Sequence, residues 1–157
     1  MKVQEILEKG QIWSCPENCR AREAAGLMAQ KHIGSIPVLD SEGRLEGILT
    51  DRDLVVRLLA QNKGYDTPVY DLMSTDIHVC RRDDDIRDVE TLMRQYSIHR
   101  VPVVDDENRL EGFVSFSDLV RHIHGRKEEH DLVGVLESIY QSVPTDTTES
   151  DGWAEGD

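Results

Sequence analysis

A stretch of this 157-residue chain is written twice. Residues 33–55, from Ile33 through Pro37, Gly43, Gly47 and Thr50 to Asp53 and Val55, return as residues 98–120. The second copy runs from Ile98 through Pro102, Asn108, Gly112 and Ser115 to Asp118 and Val120. The offset is 65 residues, without insertion or deletion. Extended backwards, it pairs Leu7 with Leu72, Ile12 with Ile77, Cys15 with Cys80 and Leu27-Met28 with Leu92-Met93. Between 7–55 and 72–120, 19 of 49 positions are identical, where composition alone gives about three. Each copy is therefore one structural unit. One such unit has too little core to stand alone, so the two are expected to pack together.

The pattern within a copy defines the unit. Ile36-Pro37-Val38-Leu39 reads as a short apolar strand, Ser41-Glu42-Gly43-Arg44 as a turn, and Leu45-Glu46-Gly47-Ile48-Leu49 as the returning strand of a hairpin. Thr50 to Asp53 supply oxygens that can cap a helix continuing through Leu54–Leu59. Upstream, small and apolar residues at helical spacing predict helices over 19–32 and 84–97. Asn18 or Cys19 is the expected cap of the first, and one of Asp83, Asp84 and Asp85 that of the second. Ile12-Trp13-Ser14 and Ile77-His78-Val79 read as short strands, and 3–9 as a helical turn ending at Gly10. The expected fold is α/β (α+β): two β-α-β-β-α repeats about a pseudo-twofold axis, with sheets face to face and ligand clefts between the units.

The hydrophobic-Pro-Val strand, the Gly turn and the Thr/Ser-x-x-Asp helix start resemble cystathionine-β-synthase (CBS) domains over about residues 1–124. Both copies carry the whole pattern, which makes the resemblance specific. It implies a tandem, stand-alone CBS module that binds an adenine nucleotide (AMP, ADP, ATP or a related adenosyl ligand). Within that frame, Asp53 and Asp118 can accept both hydroxyls of a ribose, and Thr50 and Ser115 can bond ribose or the first phosphate. Arg52 and Arg100 are the expected phosphate partners. The resemblance places the backbone of the strands holding Ile12, Trp13, Ile77, His78 and Val79 beside the adenine ring, with Ser35, Ile36, Pro37, Val101 and Pro102 on the strands that complete the sites. For the Trp13 and His78 side chains the favoured reading is a surface or interface aromatic, with stacking on the base as the alternative. Ser117 in place of Arg52 and Phe116 in place of Asp51 predict non-equivalent sites. The plainer reading of Thr50/Asp53 and Ser115/Asp118 is that they are only helix caps.

The rest of the chain sets limits. The formal net charge of −13 argues against a nucleic-acid partner, since phosphate backbones demand an excess of Lys and Arg. An anionic ligand must therefore be met by a local basic site. No stretch approaches the ~20 apolar residues of a membrane span, and the N-terminus lacks a leader pattern; a soluble, cytoplasmic protein is expected. Three cysteines do not make a disulfide framework, and Cys15 and Cys19 lack the second pair of a zinc site. No catalytic arrangement, phosphate loop or metal signature stands out, so neither enzyme activity, cofactor nor metal is expected. His122, His124 and His130 read as a solvated helix end.

The organisation expected is repeat 1 over 1–64, repeat 2 over 65–125, a C-terminal helix over 126–143 and a disordered acidic tail over 144–157, where Trp153 has no assigned role. Leu132, Val133, Leu136, Ile139 and Tyr140 give the added helix an apolar face. That face has two outlets: the chain's own core or the second subunit of a homodimer. The alternative to a nucleotide sensor with an unidentified regulated partner is a structural module with empty sites, acting by dimerisation or docking.

Overall fold

The computed structural model describes residues 1–7, 10–123 and 132–141. The first copy comprises β1 (Cys15–Pro16), α1 (Ala21–Lys31), β2 (Ser35–Leu39), β3 (Leu45–Thr50) and α2 (Asp51–Asp53), which runs on as a π-helical stretch, Leu54–Leu59. The second comprises α3 (Ile86–Tyr96), β4 (Arg100–Val104), β5 (Leu110–Ser115) and α4 (Phe116–Ile123), followed by α5 (Leu132–Gln141). Short 3-10 turns, Val3–Glu5 and Val69–Asp71, precede the copies. The tail 144–157, and His124 and His130, lie outside the described residues.

The two hairpins match residue for residue. In the first, Ser35 lies opposite Thr50 and Leu39 opposite Leu45, with a register shift between Val38 and Leu39. In the second, Arg100 lies opposite Ser115 and Val104 opposite Leu110, with the shift between Val103 and Val104. Their turns are also alike. The Asp40 carboxylate accepts the backbone N–H groups of Glu42 and Arg44, and Asp105 accepts those of Glu107 and Arg109. Each turn contains one left-handed residue, Gly43 at φ 80° and Asn108 at φ 62°, the two residue types that tolerate it best.

Helix ends repeat as well: α1 closes on His32 and α3 on Ser97, both left-handed. The following amides, Ile33 and Ile98, then bond back to Met28 and Met93. At the other end of α3 the cap is Asp85, whose carboxylate accepts from the Arg87 amide at 3.0 Å. The cap of α1 corrects the expectation of Asn18 or Cys19. It is Arg20, whose extended backbone donates to Glu23 at 2.7 Å. The orphan amides of Ala21 and Arg22 donate instead to the carbonyls of Thr67 and Tyr65, so the polar connector 60–68 between the copies supplies what a side-chain cap would have supplied.

The strands expected at 12–14 and 77–79 are also corrected. Only Cys15–Pro16 pairs, parallel with Val38–Leu39, and in the second copy only Cys80 bridges Val103. The residues before them are not paired into a ladder and run without regular structure.

A pseudo-twofold axis is visible in the backbone hydrogen bonds between hairpins. Leu45 N–H donates to Asn108 O at 2.9 Å, and its image, Leu110 N–H, donates to Gly43 O at 3.1 Å. Arg44 and Arg109, images of each other, bridge between them.

Packing crosses the repeat boundary. The core of the first copy, with Ile36, Val38, Leu49 and Leu58, is closed by Val69, Leu72 and Met73 from the second. The core of the second, with Ile86, Met93, Val101 and Leu119, is closed by Val3 and Ile6 from the first. The spans 1–64 and 65–125 are thus sequence repeats, while the packed units are assembled by exchange of their leading turns. Gly47 and Gly112 make room for this. A Cβ on Gly47 would stand 2.3 Å from Met73 Sδ, and one on Gly112 2.7 Å from Leu7 Cδ1.

These contacts also correct the register. In the leading turns Val3 matches Val69, Ile6 matches Leu72 and Leu7 matches Met73, an offset of 66 and not 65. The identity of Leu7 with Leu72 is a coincidence that burial overrides: Ile6 and Leu72 are the buried pair. The first copy therefore has one extra residue between its turn and Ile12.

Helix α5 turns Val135 fully into the second core, with Leu132 and Ile139 packed against it. Val133, Leu136 and Tyr140 remain exposed.

Candidate functional site

A cleft of about 290 Å³ lies between the two copies. The first copy contributes Gly10, Gln11, Ile12 and Trp13 before β1, Ile33 after α1, and Ser35 and Pro37 of β2. The second contributes Arg100 of β4, Gly112, Phe113 and Ser115 of β5, and Ser117, Asp118 and Arg121 of α4. One part is apolar and aromatic; the other is a carboxylate among hydroxyls and guanidinium groups.

The polar part is built on the start of α4. Ser115 donates to Asp118 Oδ2 through both its backbone N–H (2.7 Å) and its hydroxyl (2.6 Å), and the Asp118 amide returns to Ser115 Oγ at 3.3 Å. The Ser117 hydroxyl lies 2.8 Å from that of Ser115, and Arg121 donates to Asp118 Oδ1. Asp118 is only 8% exposed. Burial pushes its carboxyl up, but the Ser115 donors and the Arg121 guanidinium outweigh this and hold it below the ordinary carboxylate value. The site thus contains a buried, ionised acceptor whose lone pairs are not all used, since a carboxylate has about four acceptor positions.

The aromatic part is set by position 13. The Lys31 ammonium lies 4.0 Å from the centroid of the Trp13 ring, a cation–π contact. Arg100 rests against Phe113 with its guanidinium carbon 5.7 Å from the ring centroid.

The corresponding box of the first copy has the same internal bonds. Thr50 donates to Asp53 Oδ2 through its amide and its hydroxyl, each at 2.8 Å, and the Asp53 amide returns at 3.1 Å. Arg57 Nε stands 3.5 Å from Asp53 Oδ1, while its Nη1 donates to the carbonyls of Leu72 and Met73. At the image of Trp13, His78 stacks on Tyr96 with centroids 3.4 Å apart.

Of the residues singled out from sequence, the cleft brings together Ile12, Trp13, Ser35, Pro37, Arg100, Ser115 and Asp118. Thr50, Arg52, Asp53, Ile77, His78, Val79 and Pro102 lie outside its lining. Ile36 and Val101 are fully buried core side chains. The grouping mixes the copies: Trp13 and Ser35 of the first face Asp118 of the second. Sequence reading missed Phe113, Ser117 and Arg121. Only Arg121 carried a signal, one helical turn beyond Asp118, where a cation can pair with it; its image is Val56, so the repeat itself hides it. Among the described residues no cluster of His, Cys, Asp and Glu is arranged to hold a metal ion, and no helix is long and apolar enough to cross a membrane.

Comparison with known proteins places these observations in a family. The family model described as CBS domain matches residues 3–60 and again 69–125. A CBS domain-containing protein, YhcV of Bacillus subtilis, is 40% identical over 109 residues, covering 69% of this chain and 76% of that protein. L-aspartate semialdehyde sulfurtransferase of Methanocaldococcus jannaschii is 34% identical over 125 residues, or 80% of this chain and 24% of that longer protein. Among solved structures, a CBS domain pair in complex with 5′-methylthioadenosine and S-adenosyl-L-methionine is 33% identical with a TM-score of 0.68, covering 81% of this chain and 98% of that one.

Proposed function

This chain belongs to the CBS-domain family, and we propose that it is a non-catalytic module that binds an adenosyl ligand or adenine nucleotide between its repeats and signals occupancy to a regulated protein. The observation that carries this reading is the convergence, in one cleft, of Asp118 with Ser115 and Arg100 of one copy and Trp13 of the other. A buried ionised carboxylate suits the two hydroxyls of a ribose, an aromatic and apolar wall suits a purine, and a guanidinium suits phosphate. The similar pair solved with two adenosyl compounds adds support.

Calorimetric titration with AMP, ADP, ATP, 5′-methylthioadenosine and S-adenosyl-L-methionine tests this. At least one should bind and, at 100 times its dissociation constant, raise stability by about 2.7 kcal/mol. If none binds, a docking module with empty sites becomes the reading.

The same proposal includes a homodimer. Val55, Val56 and Leu59 are exposed on the first copy's last helix, as is Val120, the image of Val55, on α4. A shared apolar face of this kind invites a second copy. Light scattering should return twice the chain mass of 17.9 kDa; a monomer at micromolar concentration would contradict it.

A further inference from the structure

We propose that Lys31 is a positioning residue of the cleft, its ammonium locking the Trp13 ring in the orientation that walls the base; this rests on the adenine-ligand reading above. The ammonium lies 4.0 Å from the centroid of the ring. Such a distance is reached only over a ring face, where the indole is most electron-rich. Trp13 lines the cleft, and Lys31 does not. The covered face is therefore turned away from the ligand space, and the remainder of the ring meets it.

The cover is built into the repeat. Under the 65-residue offset Trp13 and Lys31 correspond to His78 and Tyr96. Those images also lie face to face, with centroids 3.4 Å apart and planes 16° from parallel. Lys31 and Tyr96 are the last residues of α1 and α3, and each is followed by a left-handed residue, His32 or Ser97, that ends its helix. The fold thus brings a helix end over the residue two places before Cys15 or Cys80 in both copies. The first copy is distinct in placing a fixed cation there. At the C-terminal end of α1 an ammonium also meets the negative end of the helix dipole, so Lys31 is held at one spot by two attractions. An unbraced indole turns among several rotamers. A ring already held does not have to be immobilised when ligand arrives, and the ordering cost avoided appears as affinity. That gain belongs to the base, so adenosyl ligands should share it whether or not they carry phosphate.

The test titrates 5′-methylthioadenosine and ADP into the full chain, Lys31→Ala, Lys31→Arg, Trp13→Leu and the Lys31→Ala/Trp13→Leu double variant. Positioning predicts that Lys31→Ala weakens both compounds alike, by roughly two- to tenfold, the cost of immobilising one side chain. Lys31→Arg keeps a cation over the ring and should bind like the unaltered chain. In Trp13→Leu, where there is no ring to hold, Lys31→Ala should have no further effect. Full additivity of the two substitutions, or a loss confined to ADP, overturns the proposal while leaving the adenine-ligand reading in place. The first result would make Lys31 independent of Trp13, and the second would make it a plain counter-charge. Failure of the unaltered chain to bind either compound overturns both. A ligand-free arm uses Trp153→Phe, in which Trp13 is the one remaining tryptophan. There Lys31→Ala should raise quenching of the emission by acrylamide, and Lys31→Arg should restore it. Unchanged quenching counts against positioning, and this arm decides alone if Trp13→Leu binds too weakly to measure.

Discussion

The starts of α2 and α4 carry the same device in different settings. In both, a hydroxyl residue and an aspartate three positions on exchange backbone and side-chain hydrogen bonds. Around Asp53 the next partner is Arg57, whose guanidinium is also held by the Leu72 and Met73 carbonyls of the second copy's leading turn. Around Asp118 the partners are Arg121 and the Ser117 hydroxyl, and the group opens into a cleft walled by the other copy. At position 13 and its image the surroundings differ: the Trp13 ring has the Lys31 ammonium over it, whereas His78 stacks on Tyr96. The reciprocal box is therefore a way to start a helix, common to both copies. The copies differ in the residues placed around it.

The exchange of leading turns gives the largest expected effects. Ile6→Ala and Leu72→Ala should each cost about 2–5 kcal/mol, as deletions of buried aliphatic groups do, but in opposite copies. Hydrogen exchange should show Ile6→Ala loosening α3, β4 and β5, and Leu72→Ala loosening α1, β2 and β3. If each substitution loosened its own copy, the exchange would be refuted. Next comes Asp118→Ala, which removes a charge-assisted acceptor worth ~1.5–3 kcal/mol. It should weaken ligand in the cleft by roughly ten- to 150-fold in calorimetry, whereas Asp53→Ala should spare that cleft.

The two hairpin glycines sharpen the comparison further. Gly47→Ala meets both Sδ and Cγ of Met73, at 2.3 and 2.8 Å, while Gly112→Ala comes within 3 Å of a single Leu7 methyl. Overpacking of about 1–3 kcal/mol is expected at Gly47 and less at Gly112, read as the larger fall in Tm for Gly47→Ala.

The smallest effect is that of pH. The Asp40 and Asp105 carboxyls lie below their usual value of 3.8 chiefly because the backbone N–H groups of Arg44 and Arg109 bond to them. Asp118 is lowered despite burial, by Ser115 and Arg121. Depressed carboxyls stabilise the fold fully above the unfolded value and lose that contribution as pH falls through the folded one. Denaturant midpoints should therefore hold above about pH 5 and decline below about pH 4. Asp40→Asn and Asp105→Asn should each flatten the decline slightly and to a similar degree, since the two turns are alike.

Much of this was legible in the chain, for physical reasons. The hairpins follow from apolar runs broken by Asp-x-x-Gly or Asp-x-x-Asn turns, and Asp85 caps α3 as its short oxygen-bearing side chain implies. What escaped the sequence is what depends on partners brought from afar. Arg20 begins α1 because connector carbonyls satisfy the next two amides, and no local pattern announces that. Residues 12–14 and 77–79 have strand-like composition, yet the parallel pairing is confined to Cys15–Pro16 and Cys80. The 66-residue register of the leading turns is masked by the chance match of Leu7 with Leu72. The π-helical pitch of Leu54–Leu59 likewise has no local marker. In the cleft, Asp118 was legible from the sequence, but its juxtaposition with Trp13 of the other copy was not, because that grouping exists only once the copies pack.

In the proposed module an adenosyl ligand sits between the copies with its ribose on Asp118. A crystal structure of the chain grown with ADP or 5′-methylthioadenosine tests it most directly. The expected result is ribose hydroxyls within hydrogen-bond distance of the Asp118 carboxylate and the base beside Ile12 and Trp13. Ligand bound elsewhere on the chain, or a base turned away from Trp13 with the ribose off Asp118, would contradict it.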